Sequence, residues 1–538
     1  MNRATFNRIT FLFLIAFVPA FSFAQEKGID ERINDAFTPF ATAWEHIVFF
    51  TIPGLGKFSD IPFVIYLLVA GALFFTLYFK FINVLRFPTA IQVVRGTYDE
   101  IEKHDGADAK AMVNMPDGDI PKTIRDESVD GEVSHFQALA TAVSGTVGLG
   151  NIAGVAAAIS LGGPGATFWM IICGLLGMST KFVECTLGVR YREIGADGTV
   201  YGGPMYYLSK GLKEKGFERL GKVLAVVFAI LCIGGSFGGG NAAQSNQAAE
   251  ALISLFGLEG GSAGFMIGVG LAIVVAIVII GGIKRIASVT EKIVPLMAVI
   301  YVLACLIVIF SNFSYIDDAI GVIISEAFTP RAGIVGGFFG VLVQGFRRAV
   351  FSNEAGAGSA SIAHSAVKTK YAASEGLVAL LEPFIDTVVI CTMTALVIVF
   401  YNSGAAFEYG VSPVMISGQE FEGVSLTSRA FGSVLPWFPT VLTIAIFLFA
   451  ISTMISWSYY GLQSWKYLFG KSQAADIAYK LIFCLFIIIG AAANMSAVWG
   501  FSDAMILAMV FPNMIGLFFL FPVVKEELVK YLKAIGKG

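Results

Sequence analysis

The sequence predicts an all-α polytopic membrane protein with about eleven transmembrane helices. Hydrophobic residues make up 56% of its 538 residues and charged residues only 14%, against roughly 25% charged residues in soluble domains. Long apolar runs recur along the chain, with polar connectors between them. The net charge of −3 comes with no basic stripe, so we expect no nucleic-acid partner.

The N-terminal part predicts export. Residues 1–24 read as a signal peptide, because two arginines precede an apolar run that ends in a small-residue cleavage site at Ala24. A short uncleaved anchor is the alternative. Residues 25–60 predict a periplasmic or interfacial amphipathic segment. An extra transmembrane helix is expected at 61–84, and an acidic, solvated cytoplasmic loop at 85–134.

The other expected spans form two groups. Those of the first group are 135–160, 166–189, 223–258 (overlong), 263–282 and 286–310. Those of the second group are 333–351, 376–401, 436–460, 477–493 and 501–521. The two groups divide the core at 135–310 and 333–521, and residues 522–538 are expected to form a cytoplasmic tail.

Lysine and arginine set the expected orientation. The connectors rich in these residues are 86–125, 190–222, 284–292, 347–370, 466–480 and 525–537. The alternate connectors hold only Arg331 and Arg429. This alternation predicts an outside N-terminus and a cytoplasmic C-terminus, in a bacterial inner membrane.

Residues 141–165 (TAVSGTVGLGNIAGVAAAISLGGPG) predict a broken helix. Glycines interrupt an apolar run that also carries Ser144, Thr146 and Asn151. Close helix packing is the alternative, since small residues also favour it. Packing alone does not call for an asparagine and two hydroxyls, and an unwound helix in lipid is tolerated against protein or a wet cavity. We therefore expect freed oxygens to hold a cation and free amides to hold an anion, as in a secondary transporter.

A second stretch of this kind spans 333–361, five expected spans after the first. It combines glycines with Gln344, Ser352, Asn353 and Glu354. Paired glycine-interrupted segments indicate an inverted repeat. The layout alone, without sequence identity between the halves, predicts a 5+5 repeat preceded by one extra helix.

Several motifs together resemble the alanine or glycine:cation symporter family: GTVGLGNIAGVAAAISLGGPGA, KFVECTLG, YGGPMYYL, GFRRAVFSNEAGAGS and FIDTVVICT. The segment SGTVGLGN is also similar to the first core helix of the sodium-coupled leucine-transporter fold. The resemblance implies that fold, and inward movement of alanine or glycine with Na⁺ as the coupling ion. The expected partners are the amino acid, Na⁺ and membrane lipid, for a monomeric chain without an organic cofactor.

An amino-acid substrate needs groups for its carboxylate, its ammonium and its side chain. The half-helix start at Gly148, Leu149, Gly150 and Asn151 offers amides to the carboxylate. The ammonium is expected at backbone carbonyls with Gln244 or Asn246, although those amides equally predict interhelical hydrogen bonds. Gln344 and Phe346 are expected to close the pocket, where one methylene is worth about 1–3 kcal/mol.

Two Na⁺ positions are expected. Asn151 and Thr146 offer side-chain oxygens to one ion. For a second, the resemblance implies carbonyls near Ser144 and Val147, with the residues Ala450, Ser452 and Thr453. Hydroxyls in helices also bond back to their own carbonyls, which is the alternative for the last two.

Charged residues in the spans are hypotheses for function. Asp386 is expected to gate, relay a proton or cap backbone. Glu184 is expected to pair with Lys181. An inner gate at the cytoplasmic end of the second broken helix is expected from Arg347, Arg348 and Glu354, with positive-inside anchoring as the alternative.

Competing functions remain at this stage. Coupling to H⁺ would make Asp386 the titrating group. A membrane amino-acid sensor without net transport is a different class. No HExxH or paired-carboxylate motif lies in the spans, so we do not expect an enzyme.

Overall fold

The computed structural model describes residues 28–53, 61–102, 131–195, 198–258, 261–331 and 333–537. The expected signal peptide lies outside the described residues, and so does most of the acidic loop, at 103–130.

Helices dominate the described residues. The longer helices of the first half, numbered in chain order, are α1 (Ile29–Val48), α2 (Phe63–Tyr78), α3 (His135–Thr146), α4 (Ala153–Gly162), α5 (Gly165–Arg190), α6 (Glu218–Phe256), α7 (Ala263–Ile279) and α8 (Gly282–Ser311). Those of the second half are α9 (Ile316–Phe328), α10 (Gly337–Asn353), α11 (Ala372–Gly404), α12 (Gly423–Val434), α13 (Phe438–Phe469), α14 (Gln473–Ala492) and α15 (Met495–Ala534).

Two short antiparallel hairpins lie in the connectors. Strands β1 (Glu193–Ile194) and β2 (Val200–Tyr201) pair before α6, and β3 (Val414–Ile416) and β4 (Gln419–Phe421) pair before α12. After β2 the expected turn is present, because Gly203 takes a φ of 103° and Pro204 begins a helical turn.

Seven helices in the described part of the chain are long and apolar enough to cross a membrane, or eight if the bent α3–α4 pair is one span. The apolar helices α2 and α7 are shorter. The overlong expected span is present as α6, which has 39 residues. The count of eleven and the inverted repeat stay predictions.

The first expected break is present between α3 and α4. Ser134 and Gln137 form a capping box that starts α3, and α3 ends at Thr146. A 3-10 turn at Leu149–Asn151 follows, and the two half-helices are bent by 54°. The glycine-rich sequence permits this unwinding because glycine lacks the side chain that restricts the backbone.

The second break follows α10. Glu354 adopts a left-handed φ of 57°, and Gly356 and Gly358 have φ of 91° and 87°. A side chain at Gly356 would be strained at this φ and would also lie 2.5 Å from the Leu68 side chain, so the position favours glycine. The chain then forms a short helix at Ser361–His364. Both stretches chosen from the sequence are therefore interrupted helices.

Two longer helices carry π-helical turns beside these breaks. One spans Gly238–Ala242 in α6 and the other spans Phe384–Cys391 in α11. Such turns are frequent at functional sites, because they shift side chains out of the regular register. Here they place Gln244 and Asp386 towards the centre of the bundle.

The described ends of two expected segments are helical. The start of the acidic loop forms helices at Ile82–Leu85, Phe87–Val94 and Asp99–Glu102 and is only partly exposed, with Glu102 3% exposed. The expected tail continues α15, which runs without interruption to Ala534. Apolar contacts of the loop and tail with the bundle override their polar composition.

Candidate functional site

The two breaks meet at the carboxylate of Asp386. Asn151, at the first break, donates from Nδ2 to Asp386 Oδ1 over 2.7 Å and to the Asp386 carbonyl over 3.0 Å. Ser352, at the end of α10, donates to the same Oδ1 over 3.1 Å, and Thr387 donates to Oδ2 over 2.7 Å. All four side chains are at most 1% exposed. Three elements distant in sequence thus converge on one buried acid.

This acid has neutral partners. Its polar neighbours are an amide and two hydroxyls, and no basic side chain in the described part of the chain forms an ion pair with it. A buried charge is costly unless it is paired or holds a metal ion. The oxygens of Asp386, Ser352 and Thr387 suit a hard cation, which prefers oxygen ligands.

A second contact joins α3 to α13. Ser144 donates to the Ser452 carbonyl over 2.8 Å, and Thr453 donates to the Ser144 carbonyl over 3.0 Å. Ala450 and Val147 lie fully buried on the same two segments. The structure therefore brings together the segments expected to hold a second ion.

The other two hydroxyls named from the sequence bond locally. Thr146 donates back to the Ala142 carbonyl over 3.2 Å, and the Ser452 hydroxyl donates to the Phe449 carbonyl over 2.9 Å. The back-bonding alternative, given for Ser452 and Thr453, therefore describes Ser452 but not Thr453, which bonds across to α3. Thr146 is buried at the break but does not contact Asp386 or Asn151 by a hydrogen bond in the described set.

The amides at the first break point towards side-chain oxygens. The Gly148 amide donates to Asn151 Oδ1 over 2.8 Å, and the Leu149 amide donates to Gln244 Oε1 over 3.1 Å. Both amides thus face oxygen acceptors. A substrate carboxylate would offer them oxygen acceptors of the same kind. Gly150 faces the end of α10, with Ser352 Cα 3.3 Å from where its Cβ would lie.

Three expected pocket residues lie elsewhere. Asn246 donates to the Gly490 carbonyl of α14 and to the carbonyl of Ala493, which follows α14; this is the interhelical alternative. Gln344 lies beside Gly162, at the far end of α4. Phe346 packs towards Trp169, with 6.4 Å between ring centroids. Phe346 lies seven residues, or about two turns, before the end of α10, so its helical register points it elsewhere.

Phe351 occupies the position that we expected for Phe346. Its ring stacks on Trp499 with centroids 4.9 Å apart, and its edge lies 3.4 Å from where a Gly150 Cβ would be. The sequence signal was available, since Phe351 directly precedes the Ser-Asn-Glu triplet of the second break.

Trp457 of α13 links the two breaks. Its Nε1 lies 3.2 Å from the Gly145 carbonyl and 2.9 Å from Glu354 Oε1. Ser359 donates to the other Glu354 oxygen. Glu354 is 1% exposed and therefore belongs to the interior of the bundle.

The ion pairs of Arg347 and Arg348 are not the ones expected for an inner gate with Glu354. Arg347 and Arg348 pair with Asp503 at the start of α15, and Arg347 also reaches Glu45 of α1, 3.2 Å away. Neither arginine pairs with Glu354 in the described set. In the expected topology, in which α1 lies outside, these arginines would lie in the outer half.

Sequence reasoning also missed a buried chain of acids and bases. It runs in the order Lys181, Glu382, His364, Glu375, His135 and Glu102, each contacting the next. His135 begins α3 and is held between Glu102 and Glu375. Lys181 thus pairs with Glu382 over 3.0 Å, and not with Glu184.

Glu184 has a different partner. Asn513 of α15 donates to its Oε1 over 2.7 Å. Polar residues inside apolar runs were the signal for this chain and for Glu184, but one sequence does not show which of them pair.

Comparison with known proteins gives consistent matches. The profile of the sodium:alanine symporter family matches residues 49–538. The sodium/alanine symporter AgcS of Methanococcus maripaludis is 40% identical over 467 residues, covering 87% of this chain and 93% of that protein. The probable sodium/glutamine symporter GlnT of Bacillus subtilis is 33% identical over 471 residues, covering 87% and 88%.

Among solved structures, MhsT in complex with L-phenylalanine covers 75% of this chain and 99% of its own, with 16% identity and a TM-score of 0.44.

Proposed function

Because the chain belongs to the sodium:alanine symporter family, we propose that it takes up alanine, glycine or both together with Na⁺ by alternating access. Family membership makes it a multi-pass membrane transporter and not an enzyme. The coupling ion and the substrate are the parts that the proposal adds.

The Asp386 carboxylate is the observation that carries Na⁺ coupling. It is fully buried, it is surrounded by neutral oxygen and amide groups, and it touches both breaks through Asn151 and Ser352. A cation bound there would compensate its charge and hold the two broken helices together. Release of the ion would remove that link, which is how the ion and the conformational change become coupled.

The substrate is proposed to lie directly beside this ion. The amides of Gly148 and Leu149 would receive the carboxylate in place of the Asn151 and Gln244 oxygens. Phe351 and Trp499 would limit the side chain on the outer side. These large rings favour a small amino acid, while weak discrimination of one methylene predicts overlap between alanine and glycine.

A second Na⁺ is proposed between α3 and α13. Its ligands would come from Ser144, Val147, Ala450, Ser452 and Thr453, the segments that two hydrogen bonds already join. All of these offer oxygen ligands, as Na⁺ requires.

The location is proposed from the charge alternation. The chain would lie in a bacterial inner membrane as a monomer, with its N-terminus outside and its C-terminus in the cytoplasm. In this orientation Arg347 and Arg348 lie between the site and the outside.

Uptake into proteoliposomes tests the proposal. Labelled alanine is supplied with an inward Na⁺ gradient, with an equal K⁺ gradient, and with an inward H⁺ gradient in K⁺. We expect concentrative uptake only with Na⁺, and inhibition by excess unlabelled glycine.

The other outcomes contradict the proposal in different ways. Uptake with the H⁺ gradient alone would make the proton the coupling ion and Asp386 its carrier. Binding of alanine without uptake under any gradient would favour an amino-acid sensor.

A further inference from the structure

The helix α1 precedes the residues that match the family profile, which begin at residue 49. It nevertheless packs on the transport core. Phe37 meets Phe501 of α15 with ring centroids 5.3 Å apart, and Asn34 accepts from the Asn494 amide over 2.9 Å. Asp30 accepts from the Gly264 and Phe265 amides at the start of α7. α1 is therefore fixed to α15 and α7 at several points.

The C-terminal end of α1 and the residue after it reach towards α10. Glu45 Oε1 lies 3.2 Å from Arg347 Nη2, and the Phe49 ring lies 4.4 Å from the Arg347 guanidinium carbon. A cavity of about 290 Å³ separates the two elements around this contact, and His46, Pro62, Ile65 and Val343 also line it. The contact between α1 and α10 is thus narrow and rests on one arginine.

The positive and negative charges at this contact are equal in number only when Glu45 is included. Arg347 and Arg348 both bond the same oxygen of Asp503, which is 1% exposed. One carboxylate facing two guanidinium groups leaves an excess positive charge. Glu45 is the second carboxylate, and it makes the group neutral. Like charges in a partly desolvated position repel, so the balance favours the closed contact.

The four charges lie directly above the candidate site. Arg348 lies over the Trp499 ring at 4.9 Å, and Trp499 stacks on Phe351 beside Gly150. Moving α10 away from α15 therefore breaks the Asp503 and Glu45 contacts and uncovers the Phe351–Trp499 pair.

We propose that Glu45 is a positioning residue of the outer gate: it holds Arg347 against α15 and so stabilises the closed gate during transport. The proposal rests on the transport function proposed above. It makes α1 a fixed accessory of the gate, supplied by residues outside the family match. Weakening this contact should favour the state that is open to the outside.

Uptake kinetics with Glu45→Gln test this role. An outward-open bias lowers the rate of every cycle, because release inside requires a closed outer gate, and it increases apparent affinity for external Na⁺. We expect the maximal uptake rate to fall by about three- to tenfold and the half-saturating Na⁺ concentration to fall by about twofold or more. Glu45→Asp should restore part of both values.

Glu31→Gln is the matched control. It makes the same charge change on the exposed surface of α1, fourteen residues away or about 21 Å along the helix. It should leave both values unchanged. Arg347→Gln should resemble Glu45→Gln, and the double variant should add little, because both substitutions break one contact.

Docking of α1 is measured separately with the pair Asn34→Cys and Asn494→Cys. Equal disulfide formation with and without Glu45→Gln shows that α1 stays in place, so that a kinetic change reports the gate. If α1 stays docked and Glu45→Gln transports like Glu31→Gln, the proposal is wrong. Loss of α1 docking in Glu45→Gln would also overturn it, since Glu45 would then hold the helix and not the gate. Inactivity of the unmodified protein would instead contradict the transport function itself.

Discussion

Asn151 and Asp386 lie 235 positions apart in the chain, yet Asn151 Nδ2 is 2.7 Å from Asp386 Oδ1. Asn151 also accepts the Gly148 amide through its Oδ1. One side chain therefore connects the backbone of the first break to the buried acid of α11. Any group that binds at the break amides is coupled through Asn151 to whatever binds at the acid.

The close packing around Gly148 gives the first prediction. A Cβ there would lie 2.4 Å from Thr453 Oγ1 and 3.1 Å from Gln244 Oε1. We expect Gly148→Ala to reduce alanine uptake at least about tenfold, because overpacking a filled site costs about 1–3 kcal/mol. Initial uptake rates at equal protein content give the measurement.

Gly270→Ala is its control. Apart from the backbone of its own helix, no described atom lies within 4 Å of a Cβ at Gly270 in α7, so alanine fits without a clash. Uptake by this variant should match the unmodified protein. Full activity of Gly148→Ala would show that the break amides do not approach α13 during transport.

Phe351 should set the largest side chain that the site accepts. Replacing it with alanine removes the ring that stacks on Trp499 near Gly150. We expect glutamine to compete with labelled alanine about tenfold better in Phe351→Ala, since a larger volume becomes available. The measurement is the ratio of the inhibition constants of glutamine and of unlabelled alanine against uptake of labelled alanine. A general loss of activity does not change this ratio.

Phe346→Ala controls for the loss of an aromatic ring on α10. Phe346 faces Trp169 and not the break, so its removal should leave the ratio unchanged. The account would be contradicted if Phe346→Ala enlarged the accepted substrate and Phe351→Ala did not.

His135 should contribute to stability. It lies between the carboxylates of Glu102 and Glu375, and all three side chains are at least 90% buried. Removing one partner from a buried ion pair typically costs about 3–5 kcal/mol, because the other charge stays buried. We expect His135→Ala to lower the midpoint of thermal unfolding in detergent by several degrees, measured by tryptophan fluorescence.

His46→Ala is the comparison, because His46 is exposed on α1. Its midpoint should not change. An unchanged midpoint in His135→Ala would mean that the acid–base chain adds nothing to stability.

The sequence predicted the first break of the site but not the contact that joins it to Asp386. The first break was predicted because glycines, hydroxyls and Asn151 interrupt an apolar run, and local backbone chemistry decides whether a helix unwinds. Asp386 was found as a carboxylate within a span. Its contact with Asn151 was not predicted, since pairing between distant helices depends on packing that a single sequence does not contain.

The partners of Arg347 and Arg348 were also not predicted from the sequence. Arg347 and Arg348 were expected to form an inner gate with Glu354, with positive-inside anchoring as the alternative, because lysine and arginine near a helix end usually have that role. The structure places them before the break and pairs them with Asp503 and Glu45. A charge rule does not distinguish an anchor from a buried ion pair when the acidic partners are far away in the chain.

Equilibrium binding of radioactive Na⁺ to the purified protein tests the central claim most directly, with Asp386→Asn compared against Glu184→Gln. Glu184 is an equally buried carboxylate, but its partner is Asn513, which also donates to the Gly356 carbonyl, and it forms no hydrogen bond with Asn151 or Ser352 in the described part of the chain. We predict that Asp386→Asn weakens Na⁺ binding at least about tenfold, as loss of the charged ligand implies, while Glu184→Gln binds Na⁺ normally. Equal binding by Asp386→Asn and the unmodified protein would contradict the account, because the ion would then not lie at the acid that joins the two breaks.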